Sequence, residues 1–196
     1  FIERMEALGY RPQDIEFVVC THLHHDHCGW NTHLRGGQWV PTFANARYII
    51  TRREYDCLAA ASPHLSPQDL NIGVFERSVA PVMAAGLIDL VEGTHRLTPQ
   101  VTVRPAPGHT LGHQLLSIES AGSHVLFTGD CFHHPIQLVA PHVHFGDVEN
   151  RAQLEATRRE LVELSARHNA ILIAAHTPSP HAVRAVRRGR TYRLSA

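Results

Sequence analysis

Residues 21–30 read THLHHDHCGW, and the six consecutive positions from His22 to His27 carry four imidazoles and one carboxylate. Few other features limit a fold as tightly, because crowded polar rings must face water, one another or a cation. The apolar, β-branched run IEFVVC at 15–20 precedes them and reads as a buried strand. Just past a strand, His22 and His24 stand two residues apart and project to the same side, so the pair can chelate one ion. Asp26 and His27 follow where the chain turns into a helix, adding a carboxylate and a third imidazole. Neutral imidazole and carboxylate suit zinc, and also iron, manganese or nickel.

Seventeen histidines in 196 residues could make such a cluster a matter of composition. Three downstream positions weigh against that. His109 lies in PGHTLGH (107–113), Asp130 in TGD (128–130) and His176 in AAHTP (174–178). Each follows a predicted strand or occupies a tight glycine-containing turn, so each polar group is held at a backbone corner where loops converge. Seven such groups gathered without a ligand would be costly, since buried charges and imidazoles need partners.

The remaining pattern is that of a layered α/β domain. Ile2, Met5 and Leu8 mark a helix already under way at residue 1. A strand is expected at 46–50, a helix over 52–60, a Ser/Pro break at 62–67, and helix over 74–85 up to Gly86 despite Pro81. Short strands follow at 87–91, 101–104, 114–119 and 123–128. Residues 149–167 form the strongest helix, with Leu154, Leu161, Val162 and Leu164 as its apolar stripe and charges opposite. AILIAAH (170–176) is the final buried strand. The length fits one domain, 1–196.

The 18 basic residues, all arginine, balance 18 acidic ones, so net charge is zero and nothing electrostatic recommends a nucleic-acid partner. Arg184, Arg187, Arg188, Arg190 and Arg193 read as solvated surface. No stretch approaches the roughly 20 apolar residues of a membrane span. Cys20, Cys28, Cys57 and Cys131 form no C-x-x-C pair and read as free thiols in a reducing, cytoplasmic compartment. Serine-hydrolase elbows, nucleotide-binding glycine loops and the H-E-x-x-H helix do not occur in the sequence.

Taken together, H-x-H-x-D-H, P-G-H-T, T-G-D and a strand running into histidine resemble the metallo-β-lactamase-fold hydrolases. The stretches THLHHDHCGWNT, PTFANARYIITRREYD and GDCFHHPIQL are similar to the group that includes acyl-homoserine lactonases and methyl parathion hydrolase. The resemblance implies an αββα fold, here missing part of the N-terminal β-sheet, because family members place several strands ahead of the histidine cluster and this chain offers one. A sheet with fewer strands than usual, or an uncovered apolar face, is the expected consequence.

The resemblance also implies a two-metal site, zinc above all. His22, His24 and His109 would hold one ion, Asp26, His27 and His176 the other, with Asp130 bridging. True metallo-β-lactamases lack that bridging aspartate, which counts against antibiotic hydrolysis. The implied activity is hydrolysis of a small-molecule ester or lactone, and of a phosphotriester by the same chemistry, with Asp130 and Asp26 at the reacting centre. A homodimer is the assembly to test for. A mononuclear iron persulfide dioxygenase, a glyoxalase II-like thioesterase and a metal-holding protein without turnover are the rival readings. His133 stands where the lactonases have a tyrosine beside the substrate, so it could orient substrate or protonate a leaving group. His113 is expected to support the ligands rather than join them. Cys28 and Cys131 are not expected to ligate. Trp30, Phe132 and Phe145 could line an apolar pocket or pack in the core.

Overall fold

The computed structural model describes residues 1–189 and 191–195. Arg190, one of the basic run, lies outside the described residues. The chain divides into two compact units, Phe1–Val91 and Glu92–Ala196.

In the first unit, helix α1 (Ile2–Ala7) leads through a turn into β1 (Phe17–Val19). The histidine segment follows, its second half forming the short helix α2 (His25–Cys28), where the sequence places a helical turn. Next come β2 (Thr32–Arg35), β3 (Gln38–Pro41), β4 (Arg47–Thr51), helix α3 (Arg52–Ala61), a π-helical turn at Phe75–Val79 running into α4 (Ala80–Ala84), and β5 (Ile88–Val91). Strands β1, β4 and β5 form a three-stranded parallel sheet with β4 central, pairing Val18 with Tyr48 and Ile49 with Asp89. Tyr48, Ile49 and Ile50 are all buried, so β4 reads as a continuous apolar run rather than an alternating one. Pro81 falls in the first turn of α4, where its missing N–H costs nothing, and the helix stops at Gly86 as expected. The β2–β3 hairpin was not anticipated. It turns on Gly36 and Gly37, both with positive φ, which is the conformation a two-residue hairpin turn requires.

The second unit carries β6 (His95–Arg96), β7 (Val101–Pro105), β8 (Gln114–Ser120), β9 (Ser123–Gly129), α5 (Ile136–Val139), α6 (Arg151–His168), β10 (Ile171–Ala174), β11 (Ala182–Arg188) and β12 (Thr191–Ser195). Its seven-stranded sheet has the order β12-β11-β10-β9-β8-β7-β6. Only β9 and β10 run parallel, and the connection between them contains α6, as a parallel crossover demands. The expected final strand is therefore third from last: β10 ends at Ala174, two residues short of His176, and the arginine-rich tail folds back as β11 and β12. Arg187, Arg188 and Arg193 are exposed on these strands. The core gathers Leu115, Leu126, Phe132, Leu154, Leu161 and Leu172.

Helix α6 corrects a second expectation. Arg158 does not join the charged outer face but is fully buried. Its guanidinium donates to the carbonyls of Cys131 (2.5 Å), Pro141 (2.9 Å) and Val143 (2.8 Å). The N-terminus of α6 also anchors the PGHT turn. Asn150 caps the helix by accepting from Gln153 N and donates its own N–H to Gly108 O, and Thr157 Oγ1 donates to Pro107 O at 2.7 Å. Gly108 sits at φ +132°, where an added Cβ would fall 2.3 Å from Leu154 N. Only glycine allows that approach. No helix among the described residues is long and apolar enough to cross a membrane.

Candidate metal centre

In the first unit the ligand candidates lie on the loop after β1 and on α2. His22 is buried, with its Nε2 3.1 Å from His24 Nδ1. The two rings meet edge to face with centroids 4.6 Å apart, and His27 approaches His22 at 4.1 Å. Asp26 Oδ2 is 3.4 Å from His27 Nε2, and Asp26 is the most open of the four. Expected from strand geometry, the same-side placement of His22 and His24 is what the loop shows.

This loop is held by a residue the sequence reading passed over. Thr51 caps α3 by accepting from Glu54 N at 3.2 Å. The buried Glu54 carboxylate accepts from Leu23 N at 3.0 Å, across 31 residues of sequence. It thereby fixes the peptide between the two histidines. His25 N is held in turn by Asn71 Oδ1 at 3.0 Å.

In the second unit Asp130 emerges from β9 directly after Gly129, whose φ is +51°. The carboxylate is buried, and three imidazoles surround it: His109 Nε2 at 3.3 Å and His133 Nε2 at 3.1 Å from Oδ2, and His176 Nε2 at 3.4 Å from Oδ1. His133 and His176 stack with centroids 5.2 Å apart. Ligand atoms of His109, Asp130 and His133 all lie within 4.8 Å of one another. So His133 stands as close to the carboxylate as the two implied ligands do. Its Nδ1 is buried without a hydrogen-bond partner.

Supporting contacts surround this half. His113, read as support, is buried and its Nε2 accepts from Asp130 N at 3.2 Å. Gln137 Oε1 accepts from His133 N (2.6 Å) and His134 N (3.2 Å), and Arg158 binds the carbonyl of Cys131. Neither Gln137 nor Arg158 was singled out from sequence. A mid-helix arginine and a glutamine in a short helix carry no local mark of burial.

The cysteines beside the ligands are chemically quiet. Burial pushes the Cys131 thiol up to about 12 and the Cys20 thiol up to about 11. Cys28 is raised further still by the same cause, and its Sγ donates to His24 O at 3.3 Å. Of the three aromatic candidates, Phe132 is core, Phe145 is half exposed beside His134, and Trp30 is half exposed on the first unit.

Imidazoles that approach one another through ring nitrogens, and a buried carboxylate ringed by three more, form a donor set suited to divalent cations of the zinc type. The chain belongs to the metallo-β-lactamase superfamily, whose family model matches residues 1–176. The resemblance read from the four motifs is thereby confirmed, and the mixed α/β fold with it. Among its relatives, an N-acyl homoserine lactonase from Bacillus sp. is 29% identical over 119 residues, covering 61% of this chain and 39% of that protein. A probable metallo-hydrolase of Mycobacterium tuberculosis is 29% identical over 188 residues, covering 89% of this chain and 59% of that one. The chain thus spans 39% and 59% of these relatives' length, less than two thirds of either. Of solved structures, the hydrolase AbOPH of the β-lactamase superfamily matches with a TM-score of 0.82 at 21% identity, covering 98% of this chain and 68% of that one. The dizinc quorum-quenching lactonase AidC matches at 0.79 and 20%, covering 99% and 68%. At such identities the structural likeness speaks to the fold.

Proposed function

We propose that this chain belongs to a metal-dependent hydrolase that cleaves a small-molecule ester or lactone, and phosphotriesters by the same chemistry. In this reading His22, His24 and His109 would hold one zinc ion and Asp26, His27 and His176 a second, with Asp130 as the ligand common to both. The observation that carries it is the buried Asp130 carboxylate with three imidazole nitrogens within 3.4 Å. The kinship with N-acyl homoserine lactonases supports the substrate class.

Paired divalent ions, when bound, lower the pKa of water toward neutrality and polarise the scissile carbonyl or phosphoryl oxygen. What the chain itself supplies is position and proton traffic. The turns at Gly108 and Gly129 bring His109 and Asp130 in on backbone, so little side-chain freedom is lost when they ligate. His113, accepting from Asp130 N, fixes the peptide that carries the carboxylate. His133, whose Nε2 lies 3.1 Å from Asp130 Oδ2, is placed to act as proton donor to the departing oxygen in this reading. Asp26, the more open carboxylate, stands 3.4 Å from His27 Nε2 and would be its co-ligand.

The test is a panel of homoserine lactones, aryl esters, thioesters and paraoxon-like triesters on protein of known metal content. Turnover of lactones or esters that is lost on chelation and restored by zinc supports the reading. Turnover of thioesters alone would move it to the thioesterase class, and inactivity on every member would overturn it.

A further inference from the structure

The imidazole of His133 is engaged through one nitrogen. Its Nε2 stands 3.1 Å from Asp130 Oδ2, and no group among the described residues bonds its buried Nδ1. A ring that serves a reaction is ordinarily turned into place through its second nitrogen, by a carbonyl or a carboxylate. Without that hold, the direction of the His133 ring is set by the rings packed on it and by its own backbone. His109 and His176 supply the packing, with centroids 5.3 and 5.2 Å away. The grip on the backbone comes from Gln137, four residues on.

Gln137 is fully buried in the short helix α5, and both ends of its amide are engaged. Its Oε1 accepts from His133 N at 2.6 Å and from His134 N at 3.2 Å, while Nε2 donates to Val143 O at 3.1 Å. Arg158 donates to the same Val143 oxygen and to Cys131 O. One amide thus joins the peptide of His133 to the far end of its segment, and the guanidinium ties that end to the residue after Asp130. Burying an amide is costly unless its polar atoms are matched, and here the match is the backbone of an imidazole whose second nitrogen is bare.

We propose that Gln137 is the positioning residue for His133, holding the ring against Asp130 by way of the main chain. The proposal rests on the hydrolase reading above, in which His133 is placed to protonate the departing oxygen. Proton transfer needs hydrogen-bond reach, so a ring that drifts from its place loses much of its effect. Gln137→Met keeps the volume and removes the acceptor from His133 N. Gln137→Glu keeps an acceptor oxygen.

Two measurements on the full-length, zinc-loaded protein test the assignment. The first compares ethyl and p-nitrophenyl esters of one acid, because an alkoxide must be protonated as it leaves and nitrophenoxide need not be. Gln137→Met should lower kcat for the ethyl ester about tenfold, part of the roughly 10²–10⁴-fold that a placed proton donor supplies, with the nitrophenyl ester and both KM values little changed. The ratio is read within one preparation, so a fraction of unfolded protein cancels. Gln137→Asn, whose amide is too short to reach, should behave alike, and Gln137→Glu should recover most of the loss. Combined with His133→Ala, Gln137→Met should add nothing to the effect of His133→Ala alone, as expected of residues that act as a unit. The second measurement follows the His133 ring resonance in nitrogen-15 histidine-labelled protein, assigned by its loss in His133→Ala. It should be single in the parent protein and in Gln137→Glu, and broadened or doubled in Gln137→Met at unchanged zinc content. The proposal is overturned if Gln137→Met affects the two esters alike, if its effect adds to that of His133→Ala, or if the ring resonance does not respond. The two readings fail separately. A leaving-group split in His133→Ala with none in Gln137→Met sinks the positioning role and spares the hydrolase, while a doubled resonance in Gln137→Met without turnover of any ester does the reverse.

Discussion

Asp130 carries more of this account than any other side chain. It is buried, it sits against three imidazoles, and His113 accepts from its backbone N–H. Asp130→Ala should lower turnover by several orders of magnitude and reduce bound metal. His181→Ala should leave activity near wild type, because that exposed ring contacts Thr177 O (2.7 Å) rather than the site. Equal activity in the two variants would show the ligand assignment to be wrong. Glu54 gives a subtler test. Glu54→Ala leaves Leu23 N buried without its acceptor, a loss of about 1–3 kcal/mol, and should weaken zinc retention against a competing chelator. Glu54→Gln keeps a carbonyl oxygen there and should recover most of both. These two residues also differ in how far sequence shows them. Asp130 is visible because T-G-D stands in order with the three other motifs that carry the family resemblance. Glu54 looks like any polar residue on a helix, and only the fold reveals that its carboxylate accepts from Leu23 N.

At the scale of elements, α6 does two jobs. Its start anchors the PGHT turn, and its middle inserts Arg158 beneath residues 131–143, the segment that carries His133. Burial draws that guanidinium below its ordinary value while three carbonyls hold it. Arg158→Met should cost about 3 kcal/mol or more by stranding those carbonyls, read as a fall in the denaturant midpoint. Farther along α6, Glu163 bonds to Tyr192, Arg167 and Arg187, tying the helix to β11 and β12. Chiefly the Tyr192 hydroxyl, with the two arginines, holds its carboxyl down at about 2, against an ordinary 4.5. Its contribution is thus fully present above about pH 4.5 and lost as pH falls toward about 2, because unfolding in that window takes up a proton. Glu163→Gln should remove one proton's worth of slope from stability measured across that range. An unchanged slope would mean the network does not persist in solution. The β11–β12 pair was hidden in sequence because its arginines interrupt any apolar alternation. The β2–β3 hairpin was within reach, since paired glycines between β-compatible residues are a hairpin signal.

For the molecule as a whole, the four motifs disclosed the family, and apolar patterning with its Gly and Pro breaks disclosed most of the elements. Composition could not show which charges are interior or which histidines support others, because burial is settled by contacts between distant segments. His133 illustrates the limit: its position in sequence pointed to a role near substrate, and the structure adds its place against Asp130 and its stack on His176. The central claim, that these imidazoles and carboxylates serve a pair of divalent ions, is tested most directly by elemental analysis of the purified full-length protein. The account predicts two zinc or similar ions per chain, retained through gel filtration and roughly halved or lost in Asp130→Ala. A single iron per chain accompanied by oxygen consumption, or no retained metal at all, would contradict it.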